Sequence, residues 1–336
     1  MEPKHPSKGS FASELHPGER VTAFFLVHRK QLEPFRDRTK GEFLTLVLGD
    51  RSGRVLGRVW EDAPALSETF AEGDVVKVAG DVEEYLGRTQ LIVQKLRPAQ
   101  PGEFDLADFL PATEKNLDDL MAVVRAHVER VQEPQLAKLV RSFYEDAGFV
   151  ALLVQAPAAR RVHHAYLGGL LEHITEMLSL CDTVLNLYPA LNADLLLAGV
   201  LLHDVGKLQE YTWQRDIDYT DEGRLVGHVM LTDEAVTRAI AGLPDFPAEL
   251  SLRVRHMLLS HHGRYEWGSP RRPATLEAIA LHEIDNLSAQ VNRFVQLLQA
   301  HREEGEPWTD YDRLLGRQLY AGHDADLNIE EAGQVE

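Results

Sequence analysis

Between residues 20 and 97 apolar and polar positions alternate. RVTAFFLVHRKQLE, GEFLTLVLGDRSGRVLGRVWED and DVVKVAGDVEEYLGRTQLIVQKLRP are rich in β-branched and aromatic residues and are punctuated by Gly41, Gly53, Gly73, Gly80 and Gly87. That pattern predicts five short strands closing into a small barrel. Hairpin turns fall at residues 50–53 and 86–88, and residues 63–70 supply a short helix to plug the barrel. Residues 98–111, PAQPGEFDLADFLP, have the Pro, Gly and acidic character of a linker.

Beyond the linker the apolar period becomes helical. Helices are predicted at 116–132 and 135–147, separated by Pro134, and then at 166–187, 192–203, 228–241, 248–259 and 275–301, with Asn192 as an N-cap. Residues 158–164 read as a loop and 214–225 as a turn-like excursion. The expected organisation is a mobile start over 1–18, a barrel over 19–98, a linker over 99–113, an all-α domain over 114–301 and a polar tail over 302–336.

Composition narrows the chemistry. At 336 residues, 44% hydrophobic and 26% charged, the chain suits two globular domains. It has no apolar run of membrane-spanning length, and MEPKHPSKGS lacks the apolar centre of a signal peptide, which predicts a cytoplasmic protein with no membrane partner. Cys181 is the single cysteine, so an intramolecular disulfide and a thiolate zinc cage are both excluded, and any metal must be held by nitrogen and oxygen. The net charge of −18 argues against a general basic coat for nucleic acid and leaves room for a local basic strip. Many of the 15 histidines fall between His163 and His282.

The centre of that segment is LLLAGVLLHDVGKLQEY, residues 195–211, an apolar helix that ends in His203 and Asp204. Burying such a helix carries an imidazole and a carboxylate into the interior, where an uncompensated charge is expensive. Alone, the pair reads as a core histidine beside a capping aspartate. The other residues on apolar helices or at predicted helix ends change that reading: His173 in LLEHITEM, His228 in GHVMLTDEA, His261 and His262 in LSHHGRYEWGSP, Asp285 in LHEIDNLSAQ, and Lys207 one turn beyond His203. That many imidazoles and carboxylates on buried faces have no cheap explanation other than a shared centre.

In order and helical context, His173, His203–Asp204 and Asp285 resemble the H, HD, D motif of the HD-domain metal-dependent phosphohydrolases. The resemblance implies one metal on His173, His203, Asp204 and Asp285, with Asp204 bridging to a second on His228, His261 and His262. FLTLVLGDRSGRVLGRVW and GDVVKVAGDVEEYLGRTQLIV resemble the OB-fold of anticodon-type nucleic-acid-binding domains. Candidate strand contacts there are Phe24, Phe43, Arg54, Arg58, Trp60, Lys77, Tyr85 and Arg88, and stacking on such a face is worth about 1–3 kcal/mol per base. Taken singly, Phe24, Phe43 and Trp60 read as barrel filling.

An N-terminal five-stranded OB-fold barrel followed by an all-α HD domain, with HHAYLGGLLEH, LHDVGK, LVGH, LSHHGRYEWGSP and LHEIDNLSAQ, is similar to the YhaM-type 3′-5′ exoribonucleases over nearly the whole chain. The HD-GYP cyclic-dinucleotide phosphodiesterases share the ligand order. However, Gly268, Ser269 and Pro270 stand where their GYP is expected, and Gly263 stands in place of the acidic residue after the histidine pair.

The resemblance implies a two-metal phosphodiesterase that removes nucleoside 5′-monophosphates from the 3′ end of single-stranded RNA, or of single-stranded DNA, as a monomer or homo-oligomer. It implies two Mn²⁺, while nitrogen and oxygen ligands also suit Fe, Co or Ni. Asp204 and Lys207 are the catalytic candidates, Lys207 neutralising charge on the phosphate or being simply a solvated lysine. His163, His164, Arg264 and Tyr265 are the substrate-contact candidates. Two rivals remain: an HD phosphohydrolase of small or cyclic nucleotides whose barrel serves assembly, and a non-catalytic nucleic-acid binder with a structural metal.

Overall fold

The computed structural model describes residues 7–100, 102–214, 216–301 and 306–322. The chain divides into two compact units, Met1–Ala112 with Trp213–Asp216, and Thr113–Thr212 with Ile217–Glu336. Among the described residues no helix is long and apolar enough to cross a membrane.

The first unit is a closed five-stranded barrel of order β1-β2-β3-β5-β4, formed by β1 (Arg20–Pro34), β2 (Glu42–Asp50), β3 (Gly53–Val59), β4 (Val75–Tyr85) and β5 (Arg88–Pro98). β3 and β5 pair in parallel, and the other pairs are antiparallel. A register shift between Val27 and Arg29 bends the 15-residue β1 so that it serves both β2 and β4, closing the sheet. The predicted alternation is the barrel's inside: Val21, Ala23, Phe25 and Val27 face Leu44, Leu46 and Leu48, with Val76, Val78, Leu91 and Val93 from the remaining strands. The plug helix α1 (Ala63–Ser67) is shorter than expected and seats Ala63 in that core.

Two stretches expected to be loose are packed. Lys8 lies within the predicted mobile start, yet its Nζ is 2.7 Å from Asp50 Oδ2 and 4.5 Å from the centre of the Phe25 ring, with both charged side chains almost fully buried. Within the predicted linker, Phe109 and Leu110 are buried, and the Arg51 amide donates to Asp108 O at 2.9 Å. A buried ion pair anchors the first stretch and buried apolar side chains anchor the second. Lys8→Ala should destabilise the barrel by about 3–5 kcal/mol in a denaturant titration, because it leaves Asp50 buried and unpaired. A change under about 1 kcal/mol would show that the pair carries no stability.

The second unit is helical: α2 (Leu117–Arg130), α3 (Pro134–Tyr144), α4 (Ala147–Leu153), α5 (Gly169–Leu187), α6 (Ala193–Leu202), α7 (Lys207–Glu210), a hairpin of β6 (Tyr211–Thr212) and β7 (Asp218–Tyr219), α8 (Asp221–Leu225), α9 (His228–Ala241), α10 (Ala248–Ser260) and α11 (Leu276–His301). α6 is apolar on every side and touches α2, α3, α5, α10 and α11, so residues Leu195 to Leu202 are all buried. Each fully buried leucine there contributes roughly 1.5–3 kcal/mol. Asn192 caps the helix as expected, accepting from the Leu195 amide at 3.0 Å.

Within the excursion at 214–225, β7 pairs back onto β6, which precedes it, and α8 follows. The predicted tail is ordered over 306–322: Arg293 pairs with Asp312 at 2.5 Å, Trp308 bridges to Tyr320, and Leu319 is buried. The rest of that tail, 302–305 and 323–336, and residues 1–6 of the predicted mobile start lie outside the described residues.

Candidate metal centre and nucleic-acid face

α6 and α10 end in the same way. The C-cap residues are His203 and His261, and each turns its Nδ1 onto the carbonyl three residues back, at 2.9 Å from Val200 O and 2.7 Å from Leu258 O. A carbonyl only accepts, so Nδ1 carries the proton and Nε2 is left with a free lone pair pointing away from the helix. His262 does likewise with Trp267 O at 2.8 Å, and His228 Nδ1 faces Glu210 at 3.0 Å. His173 Nδ1 is 3.0 Å from Ser288 Oγ. Such partners on the far nitrogen are how metal-binding imidazoles are held.

The five Nε2 atoms gather around Asp204 and Asp285. Asp204 Oδ2 is 3.1 Å from His203 Nε2 and 3.9 Å from His173 Nε2, whereas Oδ1 is 3.6 Å from His228 Nε2 and 3.8 Å from His261 Nε2. Asp285 Oδ1 is 3.2 Å from His173 Nε2, and His262 Nε2 is 3.2 Å from His228 Nε2. The two oxygens of one carboxylate thus face two different groups of histidines. Among the described residues, the buried Nε2 atoms of His173, His203 and His261 and both Asp204 oxygens make no well-directed hydrogen bond, although Lys207 Nζ sits 2.5 Å from Oδ2 as an ion pair. Buried polar atoms are seldom left so, and a set of imidazole nitrogens and carboxylate oxygens fits a divalent metal.

The two carboxylates of that donor set are held ionised. Burial pushes the Asp204 carboxyl up, but His203 and Lys207 outweigh it and hold it well below the usual carboxylate range. Asp285 is held down in the same way, chiefly by His173 against its burial. Burial and the neighbouring His262 keep the His261 imidazole neutral, the form that binds a metal. Two glycines let these elements approach. A Cβ on Gly206 would lie 2.5 Å from His228 O, and at Gly263, with φ +72°, it would strike the His282 ring at 2.3 Å. Gly263 therefore stands where this chain has no room for an acidic side chain.

Beside the centre lies a cleft of about 580 Å³ lined by His163, Lys207, His228, His262 and Asp285 together with Arg160, Arg161, Tyr211, Tyr219, Trp267 and Leu314. Lys207 is buried, so it is not a solvated lysine. Of the four substrate candidates only His163 lines this cleft. His164 is fully buried and spends its Nε2 on Glu176 at 3.1 Å. Arg264 is exposed and lies 4.7 Å over the Trp267 ring, and Tyr265 is 60% exposed. Sequence reading missed Glu210, Ser288, Trp267 and the Arg160–Arg161 pair. Ser288 could have been found, because it lies three residues after Asp285 on the same helix face.

On the barrel, Phe43 and Trp60 do not fill the interior. With Phe35 they form a cluster of rings 5.0–5.8 Å apart, Trp60 is 43% exposed, and Arg58 lies 5.4 Å over Phe43. Phe24 is buried with Lys77 5.0 Å over its ring, also outside the barrel core. Arg54, Tyr85 and Arg88 are exposed, the last two paired at the β4–β5 hairpin. A groove of about 710 Å³ runs past Trp60 and Lys77 to Lys95.

Comparison with known proteins agrees with both units. The HD domain family matches residues 170–290, and the OB-fold nucleic acid binding domain family matches residues 26–99. The chain is 36% identical over 292 residues to the 3′-5′ exoribonuclease YhaM of Bacillus velezensis, covering 85% of this chain and 89% of that protein. It is 35% identical over 300 residues to the YhaM of Bacillus subtilis, covering 87% and 91%. A domain of replication protein A from Methanococcus maripaludis aligns with a TM-score of 0.24 at 25% identity, over 27% of this chain and 94% of that one.

Proposed function

Because the chain belongs to the YhaM family of 3′-5′ exoribonucleases, we propose that it is a metal-dependent exonuclease that shortens single-stranded RNA from its 3′ end, releasing nucleoside 5′-monophosphates. The observation that carries the catalytic reading is the division of histidines between the two oxygens of Asp204. A single anionic residue facing two donor groups is suited to bridging two cations and offsetting their mutual repulsion. His173, His203 and Asp285 would complete one position and His228, His261 and His262 the other, with Mn²⁺ as the proposed ion. Divalent cations held by these residues would supply Lewis acidity and positive charge toward a phosphate and a water.

The residues around the centre do the rest. Lys207 reaches the cleft from the first turn of α7 and places a positive charge beside Asp204, where it can meet the phosphate. Trp267 and Tyr211 offer flat walls, and Arg161 offers a charge for the chain entering the cleft. The Phe43–Trp60 face, with Arg54, Arg58, Lys77, Tyr85 and Arg88 near or beyond it, holds the strand, so an acidic protein can still grip a polyanion locally.

The reading is tested with a 5′-labelled single-stranded oligoribonucleotide incubated with Mn²⁺ or with chelator. Stepwise shortening from the 3′ end with release of 5′-monophosphates is expected only with metal, and internal cuts or metal-independent cleavage would refute it. The same oligonucleotide as DNA reports sugar preference. Trp60→Ala should weaken binding of long RNA about fivefold to a hundredfold while leaving turnover of a dinucleotide unchanged. Unchanged KM for long RNA would remove the barrel from substrate holding.

A further inference from the structure

His173 differs from its neighbours in how its ring is oriented. His203, His261 and His262 rest on backbone carbonyls, which can only accept, and His228 rests directly on the Glu210 carboxylate. His173 Nδ1 instead meets the Ser288 hydroxyl at 3.0 Å, a group that can donate or accept. The hydroxyl alone would permit either tautomer of His173, and the wrong one would put a proton on the nitrogen that faces Asp204 and Asp285.

A second contact removes the ambiguity. Ser288 Oγ is also 3.0 Å from Glu176 Oε2. A carboxylate cannot donate, so the single hydroxyl proton must go to Glu176, the serine oxygen must accept from His173 Nδ1–H, and Nε2 is left with its lone pair. Glu176 is kept ionised: burial pushes it up, but His164 Nε2 at 3.1 Å and Lys115 Nζ at 3.4 Å outweigh that and hold it at about 2. This also accounts for the inward turn of His164, a fully buried residue whose φ of +46° is unusual for a side chain with a Cβ. Its amide is tied to Asn292 Oδ1 at 2.9 Å. Glu176 follows His173 by three residues on α5, and Ser288 follows Asp285 by three on α11, so facing helices bring ligand and relay together as pairs.

We propose that Glu176, acting through the Ser288 hydroxyl, is a positioning residue that fixes the tautomer of His173 and so sets the affinity of the cation position built on His173, His203 and Asp285, separately from the position built on His228, His261 and His262. The proposal rests on the two-cation reading above only for the number of positions. Its chemistry concerns one ring.

The test is calorimetric titration of the metal-free full-length protein with Mn²⁺, in the absence of RNA. The wild type is expected to take up two equivalents. In Glu176→Gln the amide can donate to Ser288, freeing the hydroxyl to donate to His173, so one equivalent should weaken about 10- to 100-fold and the other by less than about threefold. Ser288→Ala should do the same, and Ser288→Thr, which keeps the hydroxyl, should restore the wild-type value. Unchanged affinities in Glu176→Gln, or equal weakening of both equivalents, would overturn the proposal. If the wild type takes up one equivalent, the two-cation reading fails, and the relay is then judged on whether that equivalent weakens. Nitrogen-15 spectra of histidine-labelled metal-free protein read the tautomer directly. Protonation of His173 at Nδ1 in the wild type and its loss in Glu176→Gln is expected, and protonation at Nε2 in the wild type would overturn the proposal.

Discussion

Replacing Asp204 with asparagine should abolish RNA hydrolysis and empty the centre of metal together. The carboxylate lies within 4 Å of four of the histidines, and its two oxygens face both halves of the donor set. An amide keeps the shape but presents one oxygen and one N–H₂, so one half loses its anionic ligand and meets a donor instead. Groups that act as a unit lose nearly all of their effect when one is removed, so kcat should fall by on the order of 10⁴ to 10⁶, about 5–8 kcal/mol in the barrier. The fold should persist, because the apolar faces of α6 hold it in place independently of this side chain. Elemental analysis and single-turnover rates on one preparation decide the matter. An Asp204→Asn protein that retained both metal and rate would remove Asp204 from the centre.

His261→Ala separates two cations from one. Its Nε2 faces Asp204 Oδ1, and its ring is 4.3 Å from that of His262 and 5.8 Å from that of His228. If these three hold their own ion, bound metal should drop from about two to about one per chain. Partners that merely orient a ligand already cost about 10- to 100-fold when removed, so losing the ligand itself should cut kcat by at least about a hundredfold. RNA binding by the barrel should survive. Should His261 serve only to cap α10, the variant would lose about 1 kcal/mol of stability and little rate, with full metal content. That result would leave a single-ion site on His173, His203, Asp204 and Asp285.

How far residues alone reached can be followed through particular elements. α6 was legible to within a residue, because an apolar run, an Asn cap and a charged stop are local features that act within one or two turns. The five strands were legible for the same reason: alternation is a property of neighbouring positions. α4 was not. Residues 135–147 read as one helix, but α3 ends at Tyr144, and Asp146 caps a new helix by accepting from the Phe149 amide at 2.7 Å. Packing against the rest of the unit decides where such a turn is made.

The candidate site divided along the same line. Residue types and their order pointed to His173, His203, Asp204, His228, His261, His262 and Asp285 as one group, since buried imidazoles and carboxylates need a common reason. Which substrate candidates join them was decided in three dimensions. His163 and His164 are adjacent and chemically alike, yet the left-handed backbone at His164 turns one ring to the cleft and the other to Glu176. Lys8 lies in the stretch read as a mobile start, yet it is buried against Asp50, far along the chain. Residues alone were enough for the barrel, the helices and the inventory of side chains able to hold a metal, because periodicity, caps and side-chain chemistry act over a few residues. That Asp204 splits the histidines between its two oxygens, and that Ser288 and Glu176 stand behind His173, emerged from packing, because those meetings join atoms on separate helices and exist once α5, α6, α9, α10 and α11 have come together.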